Sequence, residues 1–94
     1  MYVIMCEIQE HSDYFHPDNN KTRLISAHPI FATKTLEEAH EWMHREPSII
    51  VEHLNNNTDD TWFLTADWNE THAVIANNSC TKTRTYEYIN VGEP

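Results

Sequence analysis

A single glycine, Gly92, serves a chain of 94 residues. A fold that must turn without glycine has to use asparagine or other residues in left-handed backbone conformations, and its main chain cannot approach a phosphate closely. Loops that cradle phosphates or dinucleotides need several glycines close together, so folds built on them are excluded. Turns must instead come from the Asn19-Asn20, Asn55-Asn56-Asn57 and Asn77-Asn78 runs, since Asn tolerates the left-handed region. The apolar supply is also small. Ala, Val, Ile, Leu, Met, Phe, Trp, Cys and Gly together make up 34 of the 94 residues, below the usual share of about 45 to 50%. One thin core, and one domain over residues 1–94, is the expectation.

Charge narrows the partners. Fifteen acids against six Lys plus Arg give a formal charge of -9, which disfavours direct contact with nucleic acid or an anionic membrane and favours a basic partner. The acids are unevenly spread: residues 46 to 81 hold Glu46, Glu52, Asp59, Asp60, Asp67 and Glu70 with no Lys or Arg. Protonating all seven histidines would take the charge from -9 to -2, so acid should blunt any charge-driven binding. The opening Met-Tyr-Val-Ile-Met-Cys-Glu lacks the basic start and apolar length of an export signal, and no run reaches membrane-spanning length. Cys6 and Cys80 form no close-spaced pair, so a cytoplasmic setting with two free thiols is expected.

Periodicity gives an α+β fold, a mainly antiparallel sheet of four to five strands with one helix packed on a face. Tyr2 to Ile8 is almost continuously apolar and β-branched, which predicts a central strand. A polar connection over residues 9 to 21 leads to a second strand from Arg23 to Ala27, which Pro29 should end or place at a sheet edge. Thr35-Leu-Glu-Glu38 has capping-box spacing and predicts a helix from about 35 to 46, with Leu36, Ala39, Trp42 and Met43 as its apolar stripe. Glu46-Pro47 should stop it. Ser48 to Leu54 reads as strand through Ile49-Ile50-Val51, with a short second helix as the alternative. Alternation from Trp62 to Trp68 predicts a strand, and His72 to Ala76 with Thr81 to Val91 a hairpin turning at Asn77-Asn78.

Within the predicted helix, His40-Glu41-Trp42-Met43-His44 resembles the zinc-peptidase signature, in which two histidines one helical turn apart hold zinc and the glutamate polarises its water. The resemblance covers five residues and implies His40 and His44 as ligands and Glu41 as base. The third ligand would have to be His53, Asp59 or His72. Acids precede the motif and Arg45 follows it, whereas the family's helix is apolar there, so two amphipathic histidines at a core margin are the favoured reading. His11, Asp13 and His16 form a second polar cluster in a loop, and Cys80 with His72 is a thiol-imidazole pair suggested by proximity in sequence alone. No glycine elbow or oxyanion loop supports nucleophilic chemistry there.

Phe31-Ala-Thr-Lys-Thr-Leu-Glu-Glu-Ala39, a strand end running into a capped acidic helix, resembles in style the small acidic αβ proteins of phages and mobile elements, many of them anti-CRISPR or anti-restriction inhibitors. That resemblance spans nine residues. It implies an inhibitor of a host defence complex, acting in the host cytoplasm by presenting acids where nucleic acid would otherwise sit. Together with the charge it gives the expected function: a non-enzymatic protein, needing no cofactor, that occupies a basic surface of a larger protein or nucleoprotein. Asp59, Asp60, Asp67 and Glu70 are the expected contacts and Trp68 the aromatic anchor. A small zinc-binding domain or metallohydrolase built on residues 40–44 is the alternative.

Overall fold

The computed structural model describes residues 1–11 and 22–92. β1 (Tyr2–His11) and β2 (Thr22–Thr33) form an antiparallel pair. A helix, α1 (Leu36–Asn57), crosses the sheet, and β3 (Trp62–Trp68), β4 (His72–Asn77) and β5 (Lys82–Asn90) return as a meander. β5 pairs with β1, so the order is β2-β1-β5-β4-β3, antiparallel throughout. The expected α+β fold is what the chain adopts, with the first strand inside the sheet between β2 and β5.

Pleating sends alternate side chains to opposite faces, and α1 covers one of them. Ile4, Cys6 and Ile8 on β1 stand opposite Tyr88, Tyr86 and Arg84 on β5, and Ala73 and Ile75 extend the same face across β4. Ala39, Trp42, Met43 and Leu54 of α1 complete the core. Trp42 joins its two sides, its ring centroid 5.7 Å from that of Tyr86 and 6.5 Å from that of Phe31 on β2. Leu36, expected in the buried stripe, is exposed at the helix start.

The helix begins where its capping residues place it. The Thr35 hydroxyl accepts from the Glu38 backbone N–H at 3.2 Å, but the reciprocal half of the capping box is absent. The Glu38 carboxylate instead accepts from the Thr33 hydroxyl at 2.7 Å, tying the first turn to the end of β2.

The predicted stop at Glu46-Pro47 is overturned, and with it the strand over Ser48 to Leu54: α1 runs unbroken through Pro47 for 22 residues. A proline inside a helix removes the N–H that would bond the carbonyl four residues back and costs about 3 kcal/mol. That carbonyl belongs to Met43, and the Trp68 indole Nε1–H donates to it at 2.8 Å. Proline's orphan is therefore satisfied from the sheet, and Pro47 itself is fully buried. Asn55-Asn56-Asn57, expected as a turn, forms the last helical turn.

β2 also outruns its expected end at Ala27, continuing past Pro29 to Thr33. It can do so because it is an edge strand and because its register against β1 shifts twice. The shifts leave Ile25 and Ile30 without a cross-strand partner, as in β-bulges. In the β4–β5 turn the left-handed residue is Cys80, at φ 56°, rather than an Asn of the pair. Asn77 is buried and braces that turn, donating to the Thr81 hydroxyl at 3.0 Å and accepting from the Lys82 N–H at 2.9 Å. Both cysteines are free thiols. No helix among the described residues is long and apolar enough to cross a membrane.

Candidate functional site

β3 lies at the sheet edge opposite β2, and the five expected contact residues gather at its two ends rather than on one continuous face. Asp59 and Asp60 occupy the link from α1. Thr58 closes the helix, its N–H and hydroxyl both donating to the Leu54 carbonyl at 2.9 and 2.7 Å. Asn55 reaches from the last turn to Trp62, donating to its carbonyl at 3.0 Å and accepting from its N–H at 2.6 Å. A side-chain amide thus stands in for a neighbouring strand. The Trp62 indole N–H bonds the Thr58 hydroxyl at 3.2 Å, so the link is pinned on both sides. Asp60 lies 4.0 Å from Lys82 with both side chains about half exposed, an ion pair of little energetic weight in water.

The second group sits about 20 Å along the strand, by its rise per residue. There the pairing of β3 with β4 is irregular between Leu64 and Trp68. Within this stretch the Thr65 hydroxyl donates to the Val74 carbonyl at 2.8 Å and accepts from the Asp67 N–H at 3.2 Å. Asp67 turns outward to bond His72 Nε2. Asn69 orders the tip, its side-chain oxygen accepting from the Thr71 N–H at 2.8 Å and the His72 N–H at 3.2 Å. Glu70 projects from that tip toward His40 Nδ1 at 3.8 Å. Trp68 is 38% exposed: its indole N–H is held inward by Met43, and part of its ring surface remains open.

The signature-like string is not assembled as a metal centre. His40 Nε2 meets the Tyr88 hydroxyl at 3.4 Å and its Nδ1 faces Glu70. His44 stands against the Trp68 ring at 6.4 Å between centroids, and Glu41 pairs with Arg45 at 3.0 Å. Of the third-ligand candidates, His53 contacts Asn57 and His72 binds Asp67, while Asp59 lies past the far end of the helix. Among the described residues no group of three His, Cys, Asp or Glu side chains could hold a metal ion. His11 meets the hydroxyls of Thr22 and Thr83 at 3.1 and 3.0 Å; Asp13 and His16 lie outside the described residues. His72 opens β4 and Cys80 lies in the turn past its other end, more than about 15 Å away by the rise of the strand, so the two cannot act together.

Sequence reasoning passed over a second constellation beneath the helix. Arg84 shares the parity of Tyr86 and Tyr88 on β5, an alternation that was the available signal. Its guanidinium carbon lies 5.8 Å from the Trp62 ring centre, a cation–π contact. Its Nε is sealed from solvent without a hydrogen-bond partner. Burial pushes the Tyr86 hydroxyl well above the usual phenol range, opposed by Arg84, and burial likewise raises the Cys6 thiol, opposed by its bond to Tyr86. Cys6 is therefore an inert structural thiol.

No known family model matches this chain, and neither the curated proteins nor the solved structures contain a significant match to it.

Proposed function

We propose that the protein is a non-enzymatic binding protein that engages a basic surface of a larger protein through the β3 edge. The observation that carries this reading is the frame around that edge: Asp59 and Asp60 at one end, Asp67 and Glu70 at the other, with exposed Phe63 and Trp68 along it. Asp67 is held by His72 and Glu70 faces His40 at 3.8 Å, so among the described residues neither of these carboxylates has a Lys or Arg paired with it. Prior positioning lowers the ordering cost of binding, and complementary charge speeds encounter. A surface whose Lys and Arg ordinarily grip phosphates fits this frame best, which makes a nucleic-acid-handling protein, such as a host defence complex, the partner class.

The test is capture of partners from a host lysate on immobilised protein. An Asp59→Asn, Asp60→Asn, Asp67→Asn, Glu70→Gln variant keeps side-chain shape and removes four charges. A nucleic-acid-handling protein retained by wild type at low salt, released as ionic strength rises and lost by the variant is the expected result. Equal retention by the variant, or binding indifferent to salt, rejects the reading.

A further inference from the structure

Beneath the C-terminal half of α1, the helix and the sheet do not close on the β2 side. A cleft of about 440 Å³ remains, walled by Ile30 of β2 and Ile49, Ile50 and Leu54 of α1, with Tyr86 and Arg84 on β5. That volume lies within the range of small-molecule sites, about 300 to 1,000 Å³. Its remaining lining, Cys6, His28 and His53, brings in no carboxylate, although the chain carries fifteen acids. The neighbouring cleft, which shares Leu54 and Arg84, is different: Glu10, Asp60 and Lys82 line it. In the second cleft the two carboxylates offset Lys82 and Arg84, whereas in the first no carboxylate among the described residues opposes Arg84.

Arg84 supplies the polar anchor. Among the described residues Arg23, Arg45 and Lys82 each have a carboxylate within 4.0 Å, whereas Arg84 has none. Its Nε–H is shut away from water without an acceptor. A partly buried cation with no counter-ion, on the floor of an aliphatic cleft, is a poorly compensated charge. A carboxylate would compensate it, because the guanidinium fork accepts a planar anion in a paired geometry. The walls are branched aliphatic side chains, which suit an alkyl chain.

We propose that this cleft binds a chain-like apolar monocarboxylate of the fatty-acid type, its carboxylate on Arg84 and its alkyl chain between Ile30, Ile49 and Ile50. This site is separate from the β3 edge and stands or falls independently of the partner-binding reading.

The experiment is calorimetric titration of the full chain with decanoate, with decanol as the uncharged counterpart. Decanoate should bind once per chain, and ten- to a hundredfold more tightly than decanol, as expected for one charge-assisted interaction. Arg84→Met keeps the apolar bulk and should erase the preference for decanoate while leaving decanol unchanged. Ile49→Trp, at an exposed position of the cleft wall, should fill the cleft and abolish both. Equal affinity for decanoate and decanol in the wild type overturns the proposal without any variant, as does the lack of binding by either. Decanoate binding that survives Ile49→Trp unchanged, which would place it elsewhere on the surface, overturns it too.

Discussion

β2 and β3 both border the sheet, yet β2 runs twelve residues beside β1 without a single acid, whereas β3 runs seven and has carboxylates beyond both ends. An open edge offers unpaired backbone groups to any passing strand, and proteins blunt it by several devices. On β2 the devices are conformational: Pro29 removes a donor, and two register shifts interrupt the ladder. On β3 they are charge and cover, since α1 is sewn to that strand through Asn55, Thr58 and the Trp68–Met43 bond. Packing follows the same division. The helix sits down on the β3 side, while on the β2 side it touches through Trp42–Phe31 and Glu38–Thr33 and leaves a cleft between Ile30 and Ile49. The two proposed partners divide along the same line, a basic protein at β3 and an apolar anion behind β2.

The stitching on the β3 side can be broken at one atom. Trp68→Phe keeps most of the ring but leaves the carbonyl of fully buried Met43 without a donor. We expect a loss of about 1 to 3 kcal/mol in urea unfolding, the cost of an orphaned buried acceptor. Pro47→Ala returns a backbone N–H to that carbonyl, so in its background the same Trp68→Phe change should cost less than about 1 kcal/mol. A double-mutant cycle measures the coupling. If Trp68→Phe costs the same in both backgrounds, the indole is not what lets the helix pass Pro47.

That bond also marks where the sequence stopped being legible. β1 could be read from its continuous apolar run, β3 from alternation and the β4–β5 hairpin from two runs joined by an Asn pair, all local signals, as is the Thr35 cap. The rule that a helix ends before proline is local as well, but its exception is supplied by a tryptophan 25 positions after the Met43 carbonyl it bonds, which no window over residues 35 to 57 contains. Misreading Pro47 forced the second error, a strand over residues that are helical. Pro29 failed in the same way, since an edge position and a bulge accommodate what an interior strand would reject. At the candidate site the acids were visible as composition. Their division into two groups follows from the length of β3 and from Asn55 serving the helix rather than a turn. Arg84 stayed hidden because a basic residue on a strand looks solvent-facing until a helix is laid over it.

Titration tests whether the floor of the β2-side cleft behaves as protein interior. Tyr86 and Cys6 both line it, and burial raises both groups above their ordinary values of 10.0 and 9.0. A group whose folded pKa is raised keeps its proton after the unfolded chain has lost it, so the folded state binds more protons and stability falls as pH rises. The stabilisation is fully present below about pH 9 and declines above it, first through Cys6 and then, past about pH 10, through Tyr86. Each retained proton contributes a slope of about 1.4 kcal/mol per pH unit. Tyr86→Phe should flatten the upper part of this decline in urea unfolding followed from pH 8 to 11. An unchanged slope would mean that Tyr86 ionises as freely folded as unfolded, and that water reaches the cleft floor.

The smallest expected effect on stability tests the β2 device directly. Pro29 pairs with Met5 immediately beside the unpartnered Ile30, and Leu24, Ile25, Ile30 and Phe31 are all exposed on the same strand. Pro29→Val restores a backbone donor and adds a β-branched residue to an edge that has no charge repulsion of its own beyond Arg23. At an exposed site the change in folding free energy should stay within about 0.5 kcal/mol. Self-association should nevertheless increase, because the edge regains a donor beside an apolar row. Sedimentation velocity across a concentration series separates the two quantities. Association should be insensitive to salt, since apolar contact and backbone pairing drive it, in contrast to the salt-labile capture expected at β3. A Pro29→Val protein that stays monomeric at the highest concentrations would show that the bulges alone protect β2 and that proline is incidental there. Salt-labile self-association would instead implicate the acidic frame of β3, and the division of labour between the two edges would fail.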